Sequence, residues 1–161
     1  MSKGWLKSLL IAVLALGAQT AMAQMPNAYG ANISVDNAKK IAAAALAEAR
    51  KNNWKMAVAI VDTGGYLVYY EKMENTQLAS ADISIDKARS AALLKRPTKA
   101  LQDALAKGGA GWRLLRLQHA VPIDGGLPLL LEGKIVGAIG LSGEASEQDA
   151  QCAKAGADVL K

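Results

Sequence analysis

Residues 124–143 read DGGLPLLLEGKIVGAIGLSG, and the fold of the chain turns on how they are taken. Two apolar runs flank Glu132-Gly133, so Pro128–Leu131 and Lys134–Leu141 are predicted to form a hairpin closed by a two-residue turn. Gly137 and Gly140 interrupt the second strand. Glycine weakens a strand interior and marks close approach, either by a packed helix or by a flat ligand on a shallow patch. Catalytic readings of the same stretch fail on particular residues. Gly140-Leu141-Ser142-Gly143-Glu144 approaches a nucleophile elbow, with His119 and Asp124 as conceivable partners, but Glu144 stands where the second glycine is required. A phosphate cradle needs G-x-G-x-x-G, and Ala138 breaks it. Glu144 and Glu147 would also repel an anion from the helix start they complement.

Working outward, Lys55–Asp62 and Tyr66–Met73 are predicted to form a second hairpin, turned by Asp62-Thr63-Gly64-Gly65. Asp-Thr-Gly after an apolar strand is also how aspartic proteases present a carboxylate. Here Gly65 and the long helices elsewhere favour a plain turn. Ser34 is the expected N-cap of a first helix, with Ile33 as half of a hydrophobic staple and Ala38, Ile41, Ala42, Ala45, Leu46 and Ala49 on its apolar face. That helix should end near Asn52-Asn53. A helical region spans about Leu78 to Lys107 and must break or restart at Pro97. Arg113–Gln118 reads as a further strand. Ser146 is the expected cap of the last helix, with Asp149 at the capping-box position. Hairpin-linked strands among helices imply an α/β (α+β) domain with a mainly antiparallel sheet.

The N-terminus reads as an export signal. Lys3 and Lys7 precede the apolar run Leu9–Leu16, and Ala21-Met22-Ala23 fits a cleavage site. The expected division is a signal peptide at 1–23, a flexible lead at 24–32 and one domain at 33–161, located in the periplasm or secreted. Cleavage would lower the net charge from +5 to +3 and leave 138 residues, enough for one cored domain. Dispersed Lys and Arg without an aromatic stripe argue against nucleic acid as a partner. Cys152 is the only cysteine, so no internal disulfide forms; its helical spacing with Gly156, Val159 and Leu160 reads as a buried small hydrophobe.

His119 is the only histidine, placed in a loop before Ala120-Val121-Pro122, and is the candidate ligand for a metal or haem iron. No second histidine or paired cysteine sits at zinc-ligand spacing. Asp82 and Asp86 share a helix face and either hold a cation or pair with Lys87, Arg89 and Lys99. Lys95, Arg96 and Lys99 cluster around Pro97, where cations could receive carboxylates such as haem propionates.

Several phrases together resemble one family. They are Val61-Asp62-Thr63-Gly64-Gly65, Asp86-Lys87-Ala88-Arg89-Ser90-Ala91, Arg96-Pro97-Thr98, residues 125–143 and Glu147-Gln148-Asp149. On these the chain, from about Ile33 to Leu160, is similar to the GlcG/HbpS-like haem-binding family. The resemblance implies a profilin-like three-layer α/β/α fold with a five-stranded antiparallel sheet, and homo-oligomers. Exported relatives bind haem and assist a membrane sensor kinase in sensing haem or redox stress, whereas others are encoded beside catabolic enzymes. At His119 the chain departs from the family pattern, where many relatives carry a small or apolar residue. The leading expectation is an exported haem carrier or haem/redox sensor accessory. His119 is its candidate axial ligand, Tyr69, Tyr70 or Met73 are the alternatives, and Lys95, Arg96 and Lys99 are for the propionates. The rival expectations are an enzyme or enzyme accessory acting on a small organic acid, through Asp62, Asp86 or Asp149, and an oligomeric scaffold that takes no ligand.

Overall fold

The computed structural model describes residues 27–160. The proposed signal peptide lies outside them. In chain order come helix α1 (Val35–Lys51), strands β1 (Ala57–Val61) and β2 (Leu67–Lys72), helices α2 (Ser80–Leu94) and α3 (Thr98–Ala106), a 3-10 helix (Gly109–Arg116), strands β3 (Gly126–Leu131) and β4 (Lys134–Ser142), and helix α4 (Ser146–Ala157). The strands form one antiparallel sheet in the order β2-β1-β4-β3.

Both hairpins form where the sequence places them. Glu132 and Gly133 both adopt positive φ (50° and 72°), the conformation a type I′ two-residue turn demands. At the other turn the Asp62 carboxylate accepts the backbone N–H of Gly64 and Tyr66, each at 2.9 Å. Asp62 is therefore consumed by its own turn. Ser34 caps α1, its hydroxyl accepting the Asn37 N–H at 3.2 Å. Pro97 separates α2 from α3, after Lys95 has ended α2 in the left-handed region (φ 53°).

Strand alternation divides the core. Val58, Ile60, Ile139 and Leu141 point to one face and pack against Ile41, Ala45 and Leu46 of α1 and Cys152 and Ala153 of α4. Ala59, Val61 and Ala138 point to the other and meet Ala88, Ala91 and Ala92 of α2. The first face carries the large side chains, each fully buried aliphatic worth about 1.5–3 kcal/mol. The second is a contact of small residues. A Cβ on Gly140 would overlap the Ser84 carbonyl oxygen of α2 and lie 2.5 Å from the Ala88 nitrogen. The shallow patch predicted around Gly140 is thus filled by a helix.

Four sequence expectations are corrected. The sheet has four strands among the described residues, not five. Arg113–Gln118 does not join it. The glycines at 108, 109 and 111 turn the chain back on α3, and a 3-10 helix forms with none of its residues buried. The lead expected to be loose is held from Ala28 onward. Ile135 donates to Ala28 and accepts from Gly30, and Val136 accepts from Ile33, each at 2.8 Å, so this segment occupies the lane along β4 that β1 vacates at Val61. The cap of α4 is Ala145, not Ser146, with the Gln148 side chain accepting the Ala145 N–H at 3.1 Å. Asp149 is turned inward instead. Among the described residues no helix is long and apolar enough to cross a membrane.

Candidate functional site

The seven candidate ligand residues fall in separate places. Tyr69 and Met73 lie partly buried against the α1/α4 core, whereas Tyr70 packs on the opposite, α2 face. Adjacent strand residues must diverge in this way, so the two tyrosines cannot serve one site. The Tyr69 hydroxyl donates to Glu71 at 2.9 Å, and that bond raises the phenol's pKa, as does burial. Both effects oppose the phenolate that an iron ligand would need. Burial also raises Tyr70, with Asp82 adding to it.

The cations beside Pro97 are largely engaged. The Lys95 ammonium lies over the Tyr29 ring, 4.1 Å from its centroid. The Lys99 ammonium bonds Asp103, and Arg96 Nε donates to the Leu94 carbonyl at 3.0 Å. His119 is exposed, in the turn that follows the 3-10 helix, at φ 62°. Among the described residues no side chain hydrogen-bonds its imidazole, leaving it free for an outside partner. The chain beyond it is fixed from α2 and α3. Ser90 Oγ accepts the Val121 N–H (3.1 Å), the Gln102 side chain that of Asp124 (2.8 Å), and Thr98 Oγ1 that of Gly126 (2.9 Å).

Of the acids, Asp86 pairs with Arg89 at 3.2 Å. Lys87 pairs with neither Asp82 nor Asp86; it crosses to Asp149, at 2.6 Å and fully out of solvent. Ser142 is buried and donates to Ser80 at 3.2 Å, so no nucleophile elbow is presented. Among the described residues no three His, Cys, Asp or Glu side chains converge to hold a metal ion. Cys152 has no exposed surface, and burial pushes its thiol up to about 12. The native protein should resist alkylation at pH 8 and label fully in denaturant; mass spectrometry of iodoacetamide-treated samples reads this directly.

The sequence reading missed the surface around the 3-10 helix. Trp112 and Leu115 are 65% and 66% exposed. A cavity of about 640 Å³ separates this helix from α3, lined by Ala100, Ala104, Lys107, Arg113 and Leu114 among others. The signal was present as three glycines before an amphipathic run, but the run was placed in the sheet. Lys107 and Arg113 line this cavity with no carboxylate partner among the described residues, and neither His119 nor Trp112 belongs to its lining.

Known proteins bear on this chemistry. The family described as "Haem degrading protein HbpS-like" matches residues 33–158. GlcG of Escherichia coli is 40% identical over 110 residues, which cover 68% of this chain and 81% of GlcG. A 15.0 kDa protein encoded between dhaT and dhaS in Citrobacter freundii is 37% identical, over 80% of this chain and 92% of that protein. Among solved structures, the PduOC–haem complex superposes with a TM-score of 0.76 at 28% identity, covering 81% of this chain and 96% of that one. HbpS superposes at 0.75 and 28% identity, over 82% and 92%. The extent of these matches, on a sheet and helices laid out alike, places the chain in the GlcG/HbpS-like family.

Proposed function

We propose that this protein binds haem, and that it is exported and works as a haem carrier or as an accessory to a membrane sensor of haem or redox stress. The observation that carries the haem reading is the likeness over nearly the whole domain to a structure solved with haem. His119, the one imidazole, is the proposed axial ligand, because it is exposed and unengaged where Tyr69 is tied to Glu71. The cations around Pro97, chiefly Arg96, are proposed to assist at the propionates. Bound haem would supply the iron chemistry; the chain's part is to hold the macrocycle and its carboxylates. Self-association belongs to the same reading. Both β2 and β3 are edge strands among the described residues, and each can accept a second copy.

A haemin titration of residues 24–161 tests the reading. A Soret band that shifts and saturates at a fixed ratio is the expected result, and His119→Ala should displace that band. A broad change that never saturates would mean adsorption to apolar surface and would sink the proposal.

An accessory role beside a catabolic enzyme is the second reading. It is favoured by the 30% identity with PduO, a corrinoid adenosyltransferase of Salmonella typhimurium, only 37% of whose length the chain matches.

A further inference from the structure

We propose that the 3-10 helix Gly109–Arg116 docks this protein on the surface of an anionic lipid bilayer, with Trp112 and Leu115 entering the headgroup boundary and Arg113 and Arg116 meeting lipid phosphates. Haem plays no part in this docking, which goes beyond the function proposed above.

The helix is built to stand out. Gly108 and Gly109 take positive φ (69° and 54°) and reverse the chain, and no residue of the helix that follows is buried. Residues three apart eclipse in a 3-10 helix, and eight of them span about 16 Å. The three resulting rows differ in chemistry. Gly111 and Leu114 form the row turned to α3. Both line the cleft beside it, and a Cβ on Gly111 would overlap the Ala104 carbonyl oxygen. Trp112 and Leu115 form the second row, 65% and 66% exposed. Arg113 and Arg116 form the third and are exposed too. Leu117, directly after them, is half exposed. An apolar row beside a cationic row is the pattern of a segment lying flat in a membrane interface. The indole sits at headgroup level there, and the guanidinium groups reach outward to phosphate.

Charge selects the partner. Residues 104–123 contain no Asp or Glu, but they hold the cations Lys107, Arg113 and Arg116. None of these three is ion-paired among the described residues. The acids on either side are occupied. Asp103 bonds Lys99, and Asp124 is buried, accepting the Gly125 N–H at 2.7 Å. The patch therefore keeps its positive charge, and arginine suits phosphate in particular.

Other occupants fit less well. A two-fold pairing of copies through this face would bring the same cations together. A stable protein interface takes about 20–30 residues a side, whereas the exposed rows of this helix hold four.

Co-sedimentation with vesicles tests the docking on residues 24–161, which contain every described element and omit the apolar run Leu9–Leu16. Wild type should partition onto equimolar phosphatidylcholine–phosphatidylglycerol vesicles and not onto pure phosphatidylcholine. Salt near 1 M, where the Debye length is about 3 Å, should release it. Each basic side chain at an anionic surface is worth about fivefold in affinity, so Arg113→Gln/Arg116→Gln should weaken partitioning about 25-fold. Trp112→Ala should weaken it about tenfold. Lys39→Gln/Lys40→Gln removes equal charge from exposed positions on α1 and should leave partitioning nearly unchanged. Urea melts should show every variant folded, because all five side chains are exposed. Wild type that ignores anionic vesicles overturns the proposal. So does an equal loss in the α1 variant, which would mean attraction by net charge alone. If Trp112→Ala lowers the sedimentation coefficient of the lipid-free protein and leaves vesicle binding unchanged, the face belongs to a second copy of the chain and the docking is overturned.

Discussion

Replacing Lys87 by Met is expected to destabilise the domain by about 3–5 kcal/mol at neutral pH, the usual effect of removing one partner from a buried ion pair. Lys87 starts on α2 and Asp149 near the start of α4, on opposite faces of the sheet. Their side chains meet at 2.6 Å past the sheet's end, with 1% and 3% of their surfaces exposed. Gly125 makes the meeting possible. A Cβ there would lie 2.9 Å from the Lys87 Nζ and 2.8 Å from the Asp149 Cβ. Asp149 also accepts the Glu144 N–H at 3.3 Å, so its oxygens are satisfied only with both partners in place. Burial raises the Asp149 carboxyl above its ordinary value, and the Lys87 ammonium and backbone N–H groups hold it down. Removing the ammonium lets burial raise it further. A carboxyl raised in the folded state destabilises at pH values above that raised value, and the penalty fades as pH falls through it toward the ordinary aspartate value. The Lys87→Met deficit should therefore shrink on acidification. Asp149→Leu should also destabilise, and the double variant should lie within about 1–2 kcal/mol of wild type, because two apolar groups leave no unpaired charge. Urea denaturation of the four proteins at two pH values decides it. Additive single effects would show that the pair is not a coupled unit.

That pair marks where sequence reasoning stops. Period and turn chemistry are local, so α1, both hairpins and the break at Pro97 were legible. Lys87 and Asp149 are 62 residues apart, and each had a plausible local use: Lys87 beside Asp86, Asp149 three residues after Ser146. Only tertiary packing shows that Arg89 takes Asp86 and that Gln148 serves the helix start. The run Arg113–Gln118 failed for a related reason. Its apolar residues suit a strand, but the glycines before it set the direction of the chain, and Gly111 locks it on α3. The missed cleft follows from that one error, because Trp112 and Arg113 inside a sheet would not have pointed to a surface. For the candidate ligands, sequence supplied types without positions. It could not tell that Tyr69 and Tyr70 are divided by the sheet, or that Lys95 rests on Tyr29.

Gly140→Ala should carry the other large effect, about 2 kcal/mol or more of lost stability. Gly140 pairs with Ala59 on one side and Gly126 on the other, so a row of minimal side chains crosses the sheet beneath α2. An added Cβ would overlap the Ser84 carbonyl oxygen, with the Ala88 nitrogen at 2.5 Å and its Cα at 3.1 Å. All three are backbone atoms, so no rotamer change relieves the clash and α2 must lift as a unit. Overpacking of this kind costs up to about 3 kcal/mol, whereas Ala gains only about 0.5–1 kcal/mol over Gly through chain entropy. The steric cost wins. Lifting α2 would also disturb Lys87, one residue before Ala88, so the loss should exceed that at an isolated tight spot. Gly133→Ala is the contrasting variant. Nothing lies within 4 Å of its Cβ, and its cost, about 1–2 kcal/mol, comes from φ 72° alone. Thermal melts of both variants separate packing from conformation. Ala88→Gly should not rescue Gly140→Ala, because the clash is with main chain; rescue would place the obstruction on the Ala88 methyl. Full stability in Gly140→Ala, with altered haemin binding, would mean that α2 yields easily and that the patch beneath it is open to a ligand after all.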